Sequence, residues 1–148
     1  MGLNTLEIRK VPAKMQYLED VLNMLETYLE PFDCTAKSMY QIQVSAEEVF
    51  TNIASNAYDS DDGMIEVLYW EEIGDSDGKN SDQVIFWITM KDWGRSYNPL
   101  EHPDPDFEIP FEERGVGGLG IYMVKQFMDY VEYHSEDGCN ILTIGKKL

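Results

Sequence analysis

Three polar side chains recur at helical spacing in the first half of the chain. Glu48, Asn52 and Asn56 stand four residues apart, which places them on one face of a helix. They border an apolar stripe that runs from Val49 to Ala57, so burying them without polar partners would be costly. One interpretation is a hydrated Mg²⁺ site with a general base one turn away, because Mg²⁺ prefers oxygen ligands and keeps several waters. The other is a solvated helix flank that carries an ordinary pair of asparagines.

A fourth polar side chain lies where a strongly apolar segment, residues 83–91, ends. Asp92 follows this segment directly, and Gly94 comes two residues later. An Asp at the end of a strand can accept a hydrogen bond from an exocyclic amino group, and a glycine beside it lets a flat base approach the backbone. Asp and Gly are also ordinary turn residues, so a simple exit from the strand into a turn is the alternative.

Glycines crowd the segment before the last helical pattern of the chain. Gly115, Gly117, Gly118 and Gly120 fall within six consecutive positions. Glycines at the start of a helix expose N–H groups to an anion and add the positive end of the helix dipole. A Walker loop is excluded because Gly-Lys is nowhere followed by Ser or Thr, and the irregular acidic segment before the glycines argues against a dinucleotide-binding βαβ unit. A flexible hinge before the helix is the alternative.

Apolar periodicity and turn residues predict the elements that must position these groups. The predicted helices cover residues 12–31, 35–56 and 119–129. The predicted strands cover residues 3–11, 64–71, 83–91, 130–135 and 140–146. Residues 93–117 form a long connection rich in Gly, Pro and acid, and connections of that length are usually functional or mobile. This order predicts one domain over residues 1–148, an α/β sandwich with the helices on one face.

The charge balance of the chain excludes one class of partner. Acidic residues number 28 against 11 Lys plus Arg, for a formal net charge of -17, so binding to nucleic-acid backbones is not expected. Cys34 and Cys139 are far apart and lack the spacing of a zinc site. No apolar run approaches the roughly 18–20 residues that span a bilayer, and no signal segment is recognised. We therefore expect a soluble cytoplasmic protein that is not bound to a membrane.

The three motifs together resemble a known family. The segment 48–57 resembles the N box of the GHKL (Bergerat-fold) ATPases, Asp92-Trp93-Gly94 resembles their first glycine box, and residues 117–120 resemble the second. Within that superfamily the chain is most similar to the anti-sigma-factor serine kinases, as the Asn98-Pro99 pair after the first box also indicates. The resemblance implies a two-layer α/β sandwich of the α+β class with a mixed, mostly antiparallel sheet.

The resemblance also implies roles for individual residues in binding ATP and Mg²⁺. Glu48 would be the general base, Asn52 would ligate Mg²⁺, and Asp92 would recognise the adenine amino group. Residues 97–117 would form a lid over the phosphates. Further nucleotide contacts are expected from Asn56, Gly94, Arg114, Gly115, Gly117, Gly118, Leu119 and Gly120.

Two functions from different classes follow from this resemblance. The first is a serine-protein kinase that phosphorylates a STAS-type anti-anti-sigma protein and sequesters a sigma factor. The second is a nucleotide-gated binding module of the same fold with little or no catalysis. The presence of Glu48 favours the kinase. The resemblance also allows a homodimer.

Overall fold

The computed structural model describes residues 6–74, 83–110 and 119–148. In these ranges the strands are β1 (Glu7–Pro12), β2 (Met64–Ile73), β3 (Val84–Asp92), β4 (Tyr130–Glu136) and β5 (Cys139–Lys147). The α-helices are α1 (Leu18–Leu29), α2 (Ala36–Asn56) and α3 (Leu119–Phe127). Short 3₁₀ turns lie at Met15–Tyr17, Glu30–Phe32 and Pro99–Glu101.

The strands form one sheet with the order β1-β2-β3-β5-β4, and β3 is its central strand. The register places Asp92, the last residue of β3, opposite Ile65 of β2 on one side and Asn140 of β5 on the other. All four pairings in the described part of the chain are antiparallel, so none of the parallel pairs that a mixed sheet would allow is found there. The predicted fold class, strands with helices on one face, is confirmed.

The core lies between the sheet and the three helices. Alternate residues of the central strand, from Phe86 to Met90, point toward α2, which also contacts α1 and α3. The largest fully buried side chains come from both layers: Val21, Leu25, Leu29, Ile42, Phe50, Ile65, Val67, Phe86, Ile88, Met90, Val124 and Ile144. Because α2 occupies the middle of the helical layer, its polar flank meets the end of β3 and the start of α3.

The second helix begins at a well-formed N-terminal cap. Thr35 adopts an extended conformation, and its side-chain oxygen accepts a hydrogen bond from the backbone N–H of Ser38 at 3.0 Å. Such a cap satisfies one of the N–H groups that the first turn leaves without a partner. The helix then continues for 21 residues to Asn56, close to the predicted bounds. Its length brings Glu48, Asn52 and Asn56 into one regular helical face.

Two predicted helix boundaries are wrong for reasons of tertiary structure. Pro12 does not open the first helix, because it is the last residue of β1 and pairs with Met64 of β2. The α-helix starts only at Leu18. The last helix ends at Phe127 and not at Asp129, whose backbone N–H instead donates to the carbonyl of Gly145 on β5. Residues 3–5 of the first predicted strand lie outside the described residues.

Candidate functional site

Asp92 ends the central strand as a buried acid that two hydrogen bonds hold in place. Asp92 is only 5% exposed to solvent. The backbone N–H of Gly94 donates to Oδ1 at 3.0 Å, and Nδ2 of Asn140 donates to the same oxygen at 2.9 Å. A buried acid needs such partners to offset the loss of water. The orientation of the carboxyl group is therefore fixed by its neighbours.

The turn after β3 packs directly against the end of α2. A methyl group placed on Gly94 would lie 2.1 Å from the carbonyl oxygen of Ala57, which is closer than any side chain could stand. That same carbonyl accepts a hydrogen bond from the backbone N–H of Arg95 at 2.9 Å. Tyr58 reinforces the junction, since its hydroxyl accepts from the N–H of Trp93 at 2.8 Å. Only a glycine at position 94 permits this approach.

Beside Asp92 lies a first cleft, which we call the apolar cleft. It encloses about 460 Å³ between α2 and the sheet. Most of its wall is hydrocarbon, and its polar groups include Asp92 and Asn140. Six of the lining residues define it: Val49, Ile53, Met90, Asp92, Asn140 and Leu142. An apolar slot with a few fixed polar groups is the usual form of a small-molecule site.

A second cleft, the polar cleft, opens from the first toward α3. It is larger, about 1210 Å³, and its walls include Glu48, His102, Leu119 and Gly120. Both clefts share five lining residues: Asn52, Asn56, Arg95, Tyr97 and Pro99. Because these residues form a common wall, the two clefts make one continuous depression that changes from apolar to polar along its length.

Glu48 lies in the polar cleft against the first turn of α3. A methyl group on Gly120 would lie 2.2 Å from Oε2 of Glu48, so the glycine makes room for the carboxyl group. Burial raises the pKa of Glu48, and the charge of the neighbouring Glu47 raises it further. Both effects disfavour the charged form. A carboxyl group with a raised pKa in a cleft is a candidate for proton transfer.

The described part of the predicted lid, residues 97–110, precedes α3 in the chain and contacts it. Its 3₁₀ turn is capped by Asn98, whose Oδ1 accepts from the N–H of Leu100 at 2.9 Å. Farther along, Lys125 of α3 forms an ion pair with Asp104 at 3.3 Å. Of the described lid residues, 97–110, Tyr97, Pro99 and His102 line the polar cleft. Residues 111–117 lie outside the described residues.

The structure brings together most of the residues singled out from the sequence. Glu48, Asn52, Asn56, Asp92, Leu119 and Gly120 line the two clefts. Gly94 lines neither of them, and its position is explained by the contact with Ala57. The predictions for Arg114, Gly115, Gly117 and Gly118 fall outside the described residues.

Several residues that complete the apolar cleft were not predicted from the sequence. Asn140 binds Asp92 from a neighbouring strand, while Arg95, Tyr97, Pro99 and Tyr133 add to the wall. Asn140 is the second residue of β5, after the hairpin turn at Asp137 and Gly138, and an Asn there gives no local signal. It could have been found only with the strand order, since Asp92 and Asn140 are paired by the sheet register.

The side chains of the polar cleft fit a magnesium ion only if other ligands complete its shell. Within residues 6–74, 83–110 and 119–148, no three His, Cys, Asp or Glu side chains gather into a metal cage. The polar cleft offers instead the carboxamide oxygens of Asn52 and Asn56 beside Glu48. Mg²⁺ is commonly held by one or two protein oxygens, with water and phosphate oxygens completing its shell. These residues therefore fit a Mg²⁺ ion that arrives with a phosphate ligand.

None of the helices in the described ranges has the length and hydrophobicity needed to cross a bilayer.

An antiparallel sheet covered by helices on one face, with a cleft that runs from a buried Asp to a helical Glu and two Asn, defines a class of nucleotide-binding domain. The comparison with protein families agrees, since the model of the histidine kinase-like ATPase domain matches residues 11–146. The chain belongs to this family, and the family's name implies that it binds ATP.

The chain is also similar to proteins that are named serine-protein kinases. The chain is 22% identical over 135 residues to the serine-protein kinase RsbW of Bacillus mycoides, an alignment that covers 90% of this chain and 79% of the relative. The same values hold for the serine-protein kinase RsbW of Bacillus cereus. The chain is thus similar to these kinases over nearly its whole length.

Solved structures show the same fold. A crystal structure of RsbU and RsbW domains from Mycobacterium tuberculosis matches 97% of this chain with a TM-score of 0.61 at 13% identity. This chain spans about a third of that protein, 32%. The histidine kinase domain of a blue-light activated histidine kinase from Erythrobacter litoralis matches 93% of this chain, and 62% of its own length, with a TM-score of 0.50 at 16% identity.

We expect Glu48→Gln to raise the melting temperature at neutral pH, because the variant no longer holds a charged carboxylate in a half-buried site. The pKa of Glu48 is higher in the folded chain than its ordinary value of 4.5, so ionisation of this group opposes folding as the pH rises through the raised pKa. The gain in stability should shrink as the pH falls below that raised pKa. Thermal melts of both proteins over a pH series measure the effect.

Glu26→Gln is the matched control for this prediction. Glu26 is exposed on α1, and its substitution removes the same unit of negative charge from the chain. An equal gain in both variants, or a gain in Glu48→Gln that does not change with pH, would contradict a raised pKa at Glu48.

Proposed function

We propose that this chain is an ATP-dependent serine-protein kinase that phosphorylates a STAS-type anti-anti-sigma protein and sequesters a sigma factor or an equivalent target. The observation that carries the proposal is the continuity of the two clefts. Asp92 lies in the apolar cleft, Glu48 lies in the polar cleft, and Asn52 stands on their common wall. A purine needs an apolar slot with a polar anchor, and its phosphates need a polar space beside it.

The adenine base is proposed to bind in the apolar cleft. Both donors that hold Asp92 bind Oδ1, and no other described residue donates to Oδ2. Oδ2 can therefore accept a hydrogen bond from the exocyclic amino group of adenine. The hydrocarbon of Val49, Ile53 and Leu142 covers the faces of the base. Guanine presents a carbonyl oxygen at the corresponding edge, so this acceptor favours ATP over GTP.

The phosphates and Mg²⁺ are proposed to bind in the polar cleft. The carboxamide oxygen of Asn52 would be a protein ligand of the ion, and Asn56 stands one helical turn farther along the same wall. Bound Mg²⁺ would neutralise charge on the phosphate oxygens during transfer. We assign backbone contacts with the nucleotide to Leu119 and Gly120, which line the polar cleft. A nucleotide contact for Gly94 stays a prediction from the sequence. The same role for Gly115, Gly117 and Gly118, and a phosphate contact for Arg114, remain predictions from the sequence.

Glu48 is the proposed general base. Its carboxylate would accept the proton of a serine hydroxyl on the partner while the serine oxygen bonds to the γ-phosphorus and the bond to the ADP leaving oxygen breaks. Burial raises the pKa of Glu48, which makes the carboxylate a better proton acceptor at neutral pH than an exposed one. Gly120 leaves the space that the carboxylate occupies.

The protein partners in this proposal come from the relatives. These are named serine-protein kinases RsbW, and the similarity covers 90% of this chain. A formal net charge of -17 would speed encounter with a basic sigma-factor surface through electrostatic steering. We further propose that residues 1–148 form a single kinase domain that acts in the cytoplasm, with a homodimer as its assembled form.

The first test of the proposal is binding of Mg-ATP. At a concentration of about 100 times Kd, a ligand of the folded state stabilises it by about 2.7 kcal/mol, a shift of several degrees for a chain of this size. Asp92→Asn should remove the shift, because the amide oxygen takes the place of Oδ1 and the amide nitrogen then faces the amino group of adenine. Melting curves with and without Mg-ATP measure this.

Asp61→Asn is the control for this experiment, since Asp61 is exposed in the turn before β2 and lies outside both clefts. It should keep the full shift. A shift of equal size in Asp92→Asn would remove Asp92 from the binding site.

The second test separates the kinase from a nucleotide-gated binding module. Glu48→Gln should lower the rate of phosphate transfer to a STAS-type protein by about 10²- to 10⁴-fold, the usual contribution of a general base. It should keep the melting shift with Mg-ATP. Transfer of radiolabelled phosphate from ATP measures the rate.

Glu47→Gln is the matched control, because Glu47 is the exposed neighbour of Glu48 on α2 and lines neither cleft. Glu47→Gln should transfer phosphate to the STAS-type protein at neutral pH, as the wild type does. Equal transfer by Glu48→Gln and the wild type would exclude Glu48 as the base. Binding of ATP without transfer by any of the three proteins would identify the chain as the gated binding module.

A further inference from the structure

Asn140 occupies a central place among the polar groups of the apolar cleft. It is only 7% exposed and stands directly opposite Asp92 across the β3–β5 ladder. Its Nδ2 donates to Oδ1 of Asp92 at 2.9 Å and to the carbonyl oxygen of Arg95 at 2.8 Å. Its Oδ1 accepts from the hydroxyl of Tyr133 at 2.5 Å and from the N–H of Tyr97 at 3.4 Å. One side chain thus connects β3, β4, β5 and the start of the lid.

These four contacts use the whole hydrogen-bonding capacity of the Asn140 amide. An amide nitrogen has two hydrogens to donate, and its oxygen has two lone pairs. The orientation of the amide follows from its partners, because the carbonyl of Arg95 can only accept and the N–H of Tyr97 can only donate. Asn140 therefore has no donor left for a ligand, and any role it has in binding must act through the groups it holds.

The group whose orientation matters most for binding is Asp92. Oδ1 of Asp92 receives both the N–H of Gly94 and the amide of Asn140. Two donors on one oxygen fix the rotation of the carboxyl group about its Cβ–Cγ bond. The other oxygen, Oδ2, is then the acceptor that remains for the cleft. Without Asn140 a single backbone N–H would hold the carboxyl group.

We propose that Asn140 is a positioning residue that sets the nucleobase preference of this chain by directing Oδ2 of Asp92 toward the exocyclic amino group of the base. The inference rests on the proposed function, since it names a residue that gives the adenine site its selectivity. The bond from Tyr97 also connects the first residue of the lid with the base-recognition group.

The test compares two nucleotides that differ only in the amino group: ATP, and purine riboside triphosphate, which lacks it. Titration calorimetry with Mg²⁺ gives a Kd for each. A hydrogen bond to a charged group corresponds to about a ten- to hundredfold preference, so the wild type should prefer ATP by a factor in that range. The ratio of the two constants reports the amino group alone, whereas a general loss of structure weakens both nucleotides equally.

Two variants of the same shape isolate the donor at position 140. Asn140→Thr keeps a hydroxyl that can donate to Asp92, and Asn140→Val has the same branched shape without a donor. Both residues suit a strand. We expect the preference for ATP to fall below about threefold in Asn140→Val and to stay several-fold higher in Asn140→Thr, since only the threonine retains a hydrogen bond to the carboxyl group.

Thr143→Val controls for the loss of a hydrogen bond between β3 and β5. Oγ1 of Thr143 lies 2.8 Å from Oγ1 of Thr89 across the same pair of strands, outside both clefts. This variant should lose stability without changing the ratio.

The possible results test the proposed function and the positioning role of Asn140 separately. A wild type that binds neither nucleotide would overturn the proposed function. A wild type that prefers ATP, together with an equal preference in Asn140→Val, would overturn the positioning role and leave Asn140 as a structural residue.

Discussion

The site depends on the close contact between Gly94 and the carbonyl of Ala57. A side chain at position 94 would overlap the end of α2. The turn after β3 can pack against the helix only because residue 94 is a glycine. The hydrogen bond from Arg95 to the same carbonyl holds the contact in register. This junction fixes the position of Asp92 relative to the helix that carries Glu48. If the turn moved outward, the apolar cleft would widen and the two clefts would lose their common wall.

The second helix carries two functions on adjacent faces. Val49, Phe50 and Ile53 pack into the core, where burial of apolar surface supplies much of the stability. Glu48 and Asn52 lie at the margin of that face and line the polar cleft. Placing a carboxyl group there opposes folding, as the direction of its pKa shift shows, and the surrounding core offsets the loss. Such local destabilisation is common where a protein arranges groups for chemistry.

Local patterns in the sequence predicted the parts of this site that depend on local geometry. The four-residue spacing of Glu48, Asn52 and Asn56 requires only a regular helix, and α2 supplies it. The acid at the end of an apolar run requires only a strand that ends there. Asn140 could not be predicted in this way, because its contact with Asp92 joins residues 48 positions apart through the strand order. The start of α1 was mispredicted for the same reason, since pairing with β2 keeps Pro12 in a strand.

The central claim is that adenine binds in the apolar cleft and that the phosphates of the nucleotide bind in the polar cleft. A crystal structure of the wild-type chain with Mg²⁺ and a non-hydrolysable ATP analogue tests it most directly. We predict that the exocyclic nitrogen of adenine lies about 3 Å from Oδ2 of Asp92, with the phosphates directed along Asn52 toward Glu48. An adenine bound outside the apolar cleft, or phosphates that lie away from the polar flank of α2, would contradict the account.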